Sequence, residues 1–321
     1  MSRAVIAALC AALVLSTAHA QERQYRIGYL TSATPEAYQP LLEVMSSALA
    51  QHGYVPGRNL TLVQRWSGGA DASLEKQALE LARLPVDLIV TWGTPATAAA
   101  QKATRRIPIV MANTADPLSS KFVETLARPG ANITGISSLS TDLSGKVVSL
   151  LKEIFPHAKR IGVFRNPANP VTERHLQSAQ HSAKTLGVEL VVAEVRGGDL
   201  AGAFAKLSAA SVQAAIALAD PSFVSEREQF ARLSLQHRLA VGFQRSENVE
   251  AGGLISYSAD LREQFRLAAG YVHRILQGAA PGDLPVLQPA KVELVANLKT
   301  ARALGVTIPP AVLLRVDRVI E

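Results

Sequence analysis

The sequence has 321 residues, of which 48% are hydrophobic and 18% are charged, and its formal net charge is +7. This composition is typical of a well-packed globular protein and excludes an intrinsically disordered chain. The basic residues are scattered rather than clustered with aromatic residues, so the charge favours a solvated basic surface and no nucleic-acid partner.

The first 20 residues have the pattern of a cleaved secretory signal peptide. Arg3 supplies the positive charge, residues 4–15 form an apolar stretch, and Ala18-His19-Ala20 is a cleavage site of the small-x-small type. The apolar stretch is too short to span a bilayer as a stable helix. It contains the single cysteine, Cys10, so the mature chain is predicted to have no disulfide or thiolate metal site. An exported protein of this kind fits a bacterial periplasm.

Removing these 20 residues would leave 301, close to the size at which one core stops growing, so two domains are expected. Beyond the signal, apolar runs typical of buried strands alternate with segments that have apolar residues at helical spacing. The first series predicts strands at 26–30, 60–65, 86–90, 107–112 and 132–138, helices at 38–52 and 73–84, and an Ala-rich helix after Pro95. The second predicts strands at 160–164, 189–194, 214–219, 240–243 and 253–257, with helices at 146–155, 172–186, 200–210, 225–237 and 261–277.

The loop Gly93-Thr94-Pro95 connects the strand at 86–90 to the Ala-rich helix. Small polar residues also follow the next strand, at 113–116. Ligands of open α/β sheets bind outside the carboxyl ends of the strands, and the N–H groups that open a helix favour an anion. The loop also has a structural interpretation, in which Thr94 caps the helix and Pro95 takes its first position. Both interpretations can hold together.

Several segments along nearly the whole mature chain carry a family resemblance. They are GRNL at 57–60, DLIVT at 87–91, GTPA at 93–96, IPIV at 107–110, LARPGANITG at 126–135, GGLISY at 252–257, LPV at 284–286, NLKTARALGVTIPP at 297–310 and DRVIE at 317–321. Through them the chain resembles the substrate-binding proteins of ABC transporters, in the family that includes tryptophan- and tyrosine-type uptake proteins. Two places depart from the family pattern. Ala131 replaces a usual second glycine, and Gln244-Arg245-Ser246 stands where an aromatic-containing segment is more common, which can affect ligand choice.

The resemblance implies the type I periplasmic binding fold. This is an α/β fold with two doubly wound, Rossmann-like lobes, a three-crossover hinge, and the ligand between the lobes. The crossovers are expected near Ser138, Asp260 and Pro289. The N-terminal lobe would then comprise residues 21–138 plus 261–288, and the C-terminal lobe residues 139–260 plus 289–321. The alternating elements are compatible with this division, although periodicity alone does not fix the crossovers.

A site for a zwitterionic amino acid needs N–H and hydroxyl donors for the carboxylate and an acid for the ammonium group. The candidates are the hydroxyl donors Thr31, Ser32, Thr94 and Ser137, the acids Asp116 and Asp220, the loop residue Gly93, the amides Asn113 and Asn166, and the aromatic residues Trp92 and Tyr257. The aromatic rings could stack on a ligand side chain or serve as core or hinge residues. Each candidate acid precedes a proline, which is also common turn chemistry.

No enzyme motif is present in the sequence, which lacks a Walker-type phosphate loop, a Gly-x-Ser-x-Gly elbow and a His-Glu-x-x-His pair. We therefore predict a monomeric, non-enzymatic protein without metal or cofactor. It would bind a small polar ligand, an amino acid or related compound, in the periplasm and deliver it to an ABC permease in the inner membrane. The alternative is a sensory receptor that presents its ligand to a membrane sensor. A secreted α/β enzyme is disfavoured by the missing catalytic residues.

Overall fold

The structure is a computed structural model that describes residues 23–68, 71–138, 140–289 and 291–321. The predicted signal peptide, residues 1–20, lies outside the described residues together with the only cysteine. Within the described ranges, no helix has the length and apolar character needed to cross a membrane.

The first part of the chain builds a five-stranded parallel sheet. Its strands are β1 (Tyr25–Thr31), β2 (Leu60–Trp66), β3 (Leu88–Trp92), β4 (Ile109–Ala115) and β5 (Ile133–Ser138), in the spatial order β2-β1-β3-β4-β5. The helices between them are α1 (Pro35–Gln51), α2 (Asp71–Arg83) and α3 (Thr94–Ala103). Every residue of β3, β4 and β5 is buried, as expected for strands covered on both faces. The strand order reverses between β1 and β3, which opens a crevice at their carboxyl ends.

The second sheet has seven strands in the order β12-β11-β10-β9-β8-β6-β7. Its strands are β6 (Arg160–Arg165), β7 (Glu189–Glu194), β8 (Ala214–Ala217), β9 (Val241–Phe243), β10 (Ile255–Ala259), β11 (Val292–Asn297) and β12 (Arg318–Ile320). The helices that accompany it are α4 (Ser140–Ile154), α5 (Thr172–Thr185), α6 (Leu200–Ala209), α7 (Pro221–Ser225), α8 (Arg227–His237), α9 (Ser246–Glu250), α11 (Leu298–Leu304) and α12 (Pro310–Leu313). The helix between α9 and α11 packs on the first sheet and is described below. The parallel part, β7-β6-β8-β9-β10, repeats the strand order of the first sheet. β11 then pairs antiparallel with β10.

The chain passes between the two sheets three times. It leaves the first sheet after β5 and returns from β10 through α10 (Leu261–Leu276), which packs against α1 and β4. After Leu287 pairs with Ile136 of β5, the chain enters β11 and stays in the second sheet. The predicted class, an α/β protein with two parallel-sheet lobes, is confirmed. We call the part built on the first sheet together with α10 lobe 1, and the rest lobe 2.

Each sheet lies between two hydrophobic clusters, as the alternation in β1 illustrates. Ile27 and Tyr29 belong to the cluster under α1 and α10, whereas Leu30 belongs to the cluster under α2 and α3. Fully burying one aliphatic side chain in such a cluster contributes about 1.5–3 kcal/mol to the free energy of unfolding. Each lobe has its own clusters, and therefore a core of its own. The cores also touch, because Val224 of α7 in lobe 2 packs in the cluster of lobe 1.

Several elements differ from the predicted ones at their ends. The helix predicted at 225–237 is α8, which begins two residues later, and the short helix α7 before it was not predicted. The strand predicted at 253–257 begins two residues later, because Gly252 has a φ of +123° and belongs to a turn. The segment from β11 to β12, including the short helix α12, had no predicted strands or helices.

Candidate ligand-binding cleft

The carboxyl ends of the strands in the two lobes face each other across a cleft. The cleft encloses a cavity of about 20 Å³, which is lined from lobe 1 by Trp92, Gly93, Thr94, Asn113 and Ala115 and from lobe 2 by Asn169, Val171, His175, Ala219, Asp220, Pro221 and Arg245. One water molecule requires roughly 10–15 Å³ of such space. An amino acid is far larger and does not fit in the cavity of this structure.

The loop between β3 and α3 forms one side of this cavity. Gly93 has a φ of +90°, which favours glycine, and its N–H donates to Asn113 O at 2.8 Å. The predicted capping role of Thr94 is wrong, because Gly93 is the N-cap of α3. The Thr94 hydroxyl instead accepts a hydrogen bond from Ala115 N at 3.3 Å. A Cβ on Gly93 would lie 2.7 Å from Pro221 Cγ, so this loop is in direct contact with lobe 2.

An aromatic pair forms the wall of lobe 1 beside the cavity. The ring centroids of Tyr38 and Trp92 are 3.9 Å apart, and their planes are inclined at 41°. Burial raises the pKa of the Tyr38 phenol well above its usual value, so the phenol stays neutral. Among the described residues, neither the Tyr38 hydroxyl nor Trp92 Nε1 has a hydrogen-bond partner. Buried polar atoms normally have one, so the lobe 1 wall beside the cavity has two unused hydrogen-bonding groups.

Arg245 brings a positive charge to the cavity from lobe 2. It follows β9, is only 8% exposed, and donates from Nη1 to Gln244 O at 2.9 Å and from Nη2 to Asn113 Oδ1 at 3.1 Å. The amide of Asn113 in turn donates to Gln264 Oε1. Burial lowers the pKa of Arg245, but arginine begins above 12 and stays protonated.

The sequence interpretation did not include Arg245 among the site residues, although two signals pointed to it. It is a polar residue directly after a strand, like the candidates that were chosen, and it belongs to Gln244-Arg245-Ser246, the segment that departs from the family pattern.

Asp220 lies on the lobe 2 side of the cavity, where it is buried and forms the N-cap of α7. Its Oδ1 accepts from Ser222 N at 2.9 Å and from Ser222 Oγ at 2.6 Å. Its Oδ2 accepts from Asn169 Nδ2 at 2.8 Å and from Asn166 Nδ2 at 3.3 Å. Burial raises the pKa of Asp220, and the hydrogen bonds from Ser222, Asn169 and Asn166 oppose that rise. Asp220 therefore combines the turn chemistry of an Asp-Pro pair with a position at the cavity.

Asp116 and Ser137 lie in a neighbouring part of the cleft, where they line a separate cavity of about 150 Å³. Asp116 has a φ of +43°, and its Oδ2 lies 3.0 Å from Nη1 of Arg174 in lobe 2. The Ser137 hydroxyl contacts the carbonyl of Ser138 at 3.4 Å. Asp116 thus has a cationic partner in this conformation, and a role of either residue in ligand binding stays a prediction.

Six predicted residues do not line the cavity of about 20 Å³. Asp116 and Ser137 line the neighbouring one, Asn166 contacts Asp220, and Thr31, Ser32 and Tyr257 lie elsewhere. Thr31 and Ser32 are buried at the end of β1, where Thr31 Oγ1 accepts from Ala33 N at 3.1 Å in a turn. Tyr257 is the third residue of β10 and lies opposite Leu294 of β11. It lines a different cavity, together with Lys146 and Leu294. The structure therefore places Tyr257 outside the candidate site.

The described residues contain no group of three or more His, Cys, Asp or Glu side chains that could hold a metal ion. One histidine, His175, lines the cavity, and its Nδ1 lies 3.0 Å from Ser144 Oγ in the buried interior of lobe 2. The cavity thus offers hydrogen-bond donors, a buried cation and a buried acid from two separate lobes. This arrangement can hold and orient a small polar molecule.

Comparison with known proteins agrees with this geometry. Residues 36–320 match the family described as "ABC transporter substrate binding protein". The "Tyrosine-binding protein" of Clostridioides difficile (strain R20291) is 26% identical over 258 residues, which is 80% of this chain and 74% of that protein. A conserved domain protein from Vibrio cholerae superposes with a TM-score of 0.86 at 30% identity, over 92% of this chain and 100% of that one. The ABC domain from Streptococcus pneumonia in complex with L-Trp gives 0.85 at 24% identity over the same shares of both chains.

Proposed function

We propose that this chain, which belongs to the ABC transporter substrate binding protein family, captures an amino acid or a related small compound in the cleft between its lobes and delivers it to an ABC permease. Its family consists of binding proteins, so its activity is capture and release and not bond chemistry. One observation carries the proposal. Polar groups of both lobes, with Trp92 and Asn113 on one side and Asp220 and Arg245 on the other, converge on a single cavity.

Binding between two lobes couples capture to closure. A ligand that contacts both lobes favours the closed form by its differential affinity for the two forms, and by no more than that. The three passes of the chain between the sheets are the segments that we propose as the hinge. The export pattern of residues 1–20 supports work in the periplasm, as a monomer that meets its permease at the inner membrane.

Thermal-shift measurements on ligand-stripped protein test this function. The panel contains the common L-amino acids, with nucleosides and small sugars as other classes. It begins with tyrosine and tryptophan, because two relatives are described with these ligands. A ligand at about 100 times its Kd should add roughly 2.7 kcal/mol to the free energy of unfolding. The proposal requires a shift with at least one amino acid or close derivative, followed by 1:1 stoichiometry in calorimetry. If only sugars or nucleosides cause a shift, the ligand belongs to one of those classes and not to the amino acids. If no compound causes a shift, the proposed function is wrong.

A further inference from the structure

Several donors around the cavity lack partners, whereas the side-chain acceptors of Asp220 and Asn113 have them. Trp92 lines the cavity and Gln264 contacts Asn113 behind it, and Trp92 Nε1 and Gln264 Nε2 are both buried without an acceptor among the described residues. The N–H groups of Thr94 and Ala96 lie in the first turn of the ten-residue helix α3, where a helix supplies no acceptor of its own. Arg245 uses two of its five N–H groups on acceptors in the described chain.

The side-chain acceptors of Asp220 and Asn113 are already engaged. Each carboxylate oxygen of Asp220 accepts two hydrogen bonds, which fills about four lone-pair sites. Asn113 Oδ1 accepts from Arg245. A ligand that brought mainly donors, such as an amine, would find few acceptors with capacity left. A ligand that brought acceptor oxygens would find several unused donors.

Arg245 also lacks a charge partner. No carboxylate of the described residues forms an ion pair with it within 4.0 Å, although Glu247 is near enough to affect its titration. A buried cation is costly unless an anion accompanies it. The guanidinium fork matches a carboxylate, which it can hold through two parallel hydrogen bonds. The positive end of α3 approaches the same cavity from lobe 1.

We infer that Arg245 is the residue that selects the ligand, by binding its carboxylate between the guanidinium of lobe 2 and the start of α3 in lobe 1. The ligand class is therefore carboxylic acids, with the ammonium group of an amino acid contributing less than its carboxylate. This inference rests on the proposed function, because it names the chemical group that the same cleft recognises. In this closed structure Asn113 Oδ1 occupies one donor of Arg245. That contact breaks when the lobes open, and the ligand carboxylate takes the donor when they close again.

Calorimetry with matched ligand pairs tests the inference. The pairs are L-tryptophan and L-tryptophanamide, L-tyrosine and L-tyrosinamide, and indole-3-propionate and tryptamine. Each pair is measured on the wild-type protein and on Arg245→Gln and Arg245→Lys. The control is Arg196→Gln, which removes an exposed arginine that pairs with Glu194. Losing a hydrogen-bonded charge contact corresponds to about 10-fold to 150-fold in affinity. We expect the wild type to prefer each carboxylate by such a factor, and Arg245→Gln to reduce that preference to less than about threefold.

The outcomes separate the inference from the function. Arg245→Lys should retain part of the preference because it keeps the charge without the fork, and Arg196→Gln should bind like the wild type. Amides or tryptamine that bind as tightly as the acids, or Arg245 variants that bind equally or more tightly, would overturn the inference and leave the proposed function standing. If no compound of the panel binds, both fall. If an Arg245 variant does not fold, the inference is tested on the wild-type protein alone, by comparing its affinity for each carboxylic acid with its affinity for the matched amide or amine.

Discussion

Arg245 and Asn113 are joined across the cleft by a hydrogen bond of 3.1 Å from Nη2 to Oδ1. Arg245 follows β9 in lobe 2 and Asn113 lies in β4 of lobe 1, so this bond links the lobes at the cavity itself. A second link lies nearby, where Thr34 N donates to Ser225 Oγ at 3.1 Å. The lobes are thus closed on each other in this structure, and changes at their contact surface should alter ligand binding.

Gly93→Ala should weaken ligand binding because it obstructs closure. The added Cβ would lie 2.7 Å from Pro221 Cγ in the opposite lobe, closer than real Cβ contacts allow. The φ of +90° adds backbone strain of about 1 kcal/mol or more for a residue with a side chain. We expect at least a tenfold loss of affinity for the ligand found by the thermal-shift panel, measured by calorimetry, and a modest loss of stability.

Gly53→Ala is the matched control for this change. Gly53 has a similar φ of +86° but nothing lies within 4 Å of its added Cβ, so it carries the backbone strain without the clash. Gly53→Ala should lose stability through backbone strain alone, and only Gly93→Ala should lose affinity. Equal affinities in the two variants would show that Gly93 does not limit closure.

Asp220→Ala should destabilise lobe 2 more than the loss of an ordinary helix cap. The carboxylate accepts four hydrogen bonds, from Ser222, Asn169 and Asn166, and its removal leaves the buried Asn169 donor and the partly buried Ser222 and Asn166 donors without this acceptor. We expect a loss of about 2–4 kcal/mol in the free energy of urea unfolding. The comparison is Asp199→Ala, since Asp199 caps α6 through a single exposed bond to Gly202 N at 2.9 Å. That variant should lose only about 1 kcal/mol, and equal losses would contradict the prediction.

The sequence was sufficient for the main architecture because buried parallel strands are continuous apolar runs and the helices between them have clear periodicity. The rule that ligands bind at strand ends also brought together Trp92, Gly93, Thr94, Asn113 and Asp220, which line one cavity in the structure. It did not bring Tyr257 to that cavity, because Tyr257 lines a different one with Lys146 and Leu294. The predicted ends of β3 and β10 were both two residues too early, so the strand boundary alone does not decide which side chain reaches the cavity.

The contacts between the lobes could not be predicted from local patterns. Arg245 reaches Asn113 over a separation of 132 residues, and only the folded arrangement decides whether a long side chain points into the cleft or into solvent. The partners of Asp220 pose the same problem, because Asn166 and Asn169 are about 50 residues away in the chain. Asp-Pro at 220–221 predicts a turn, but it does not reveal how many hydrogen bonds the carboxylate accepts.

Glu226→Gln should stabilise the protein at neutral pH and not in acid. Burial, with a smaller effect of the Asp220 charge, raises the pKa of Glu226 from 4.5 to about 7, and its Oε2 has no partner among the described residues. The folded chain therefore holds this proton more tightly than the unfolded chain does. The resulting stability is fully present below about pH 4.5 and is lost as the pH rises through 7.

The neutral glutamine avoids that loss, so the variant should gain about 1–2 kcal/mol over the wild type at pH 8, once solvent screening of this partly exposed carboxyl is included. The gain should disappear near pH 4, as measured by urea unfolding across the pH range. Glu228→Gln is the control, because Glu228 is exposed and pairs with Arg227 on the surface. A pH-independent difference between Glu226→Gln and the wild type would contradict the assignment.

The two lobes should move relative to each other when ligand binds. The cavity of about 20 Å³ is too small for an amino acid, so we expect the free protein to open and the bound protein to close again. Small-angle scattering should show a smaller radius of gyration at saturating ligand than in ligand-stripped protein. The ion pair between Arg174 and Asp116, 3.0 Å across the cleft, favours the closed form by up to about 1 kcal/mol, as is usual for partly exposed pairs.

Arg174→Ala should therefore shift the ligand-free population towards the open form by up to about fivefold and raise its radius of gyration. The bound radius should not change, because ligand contacts to both lobes then dominate the equilibrium. Arg196→Gln again serves as the control, since Arg196 pairs with Glu194 within lobe 2. If the radius stays the same with and without ligand, and Arg174→Ala leaves it unchanged, the lobes do not hinge and ligand must enter by local movement of the cleft loops.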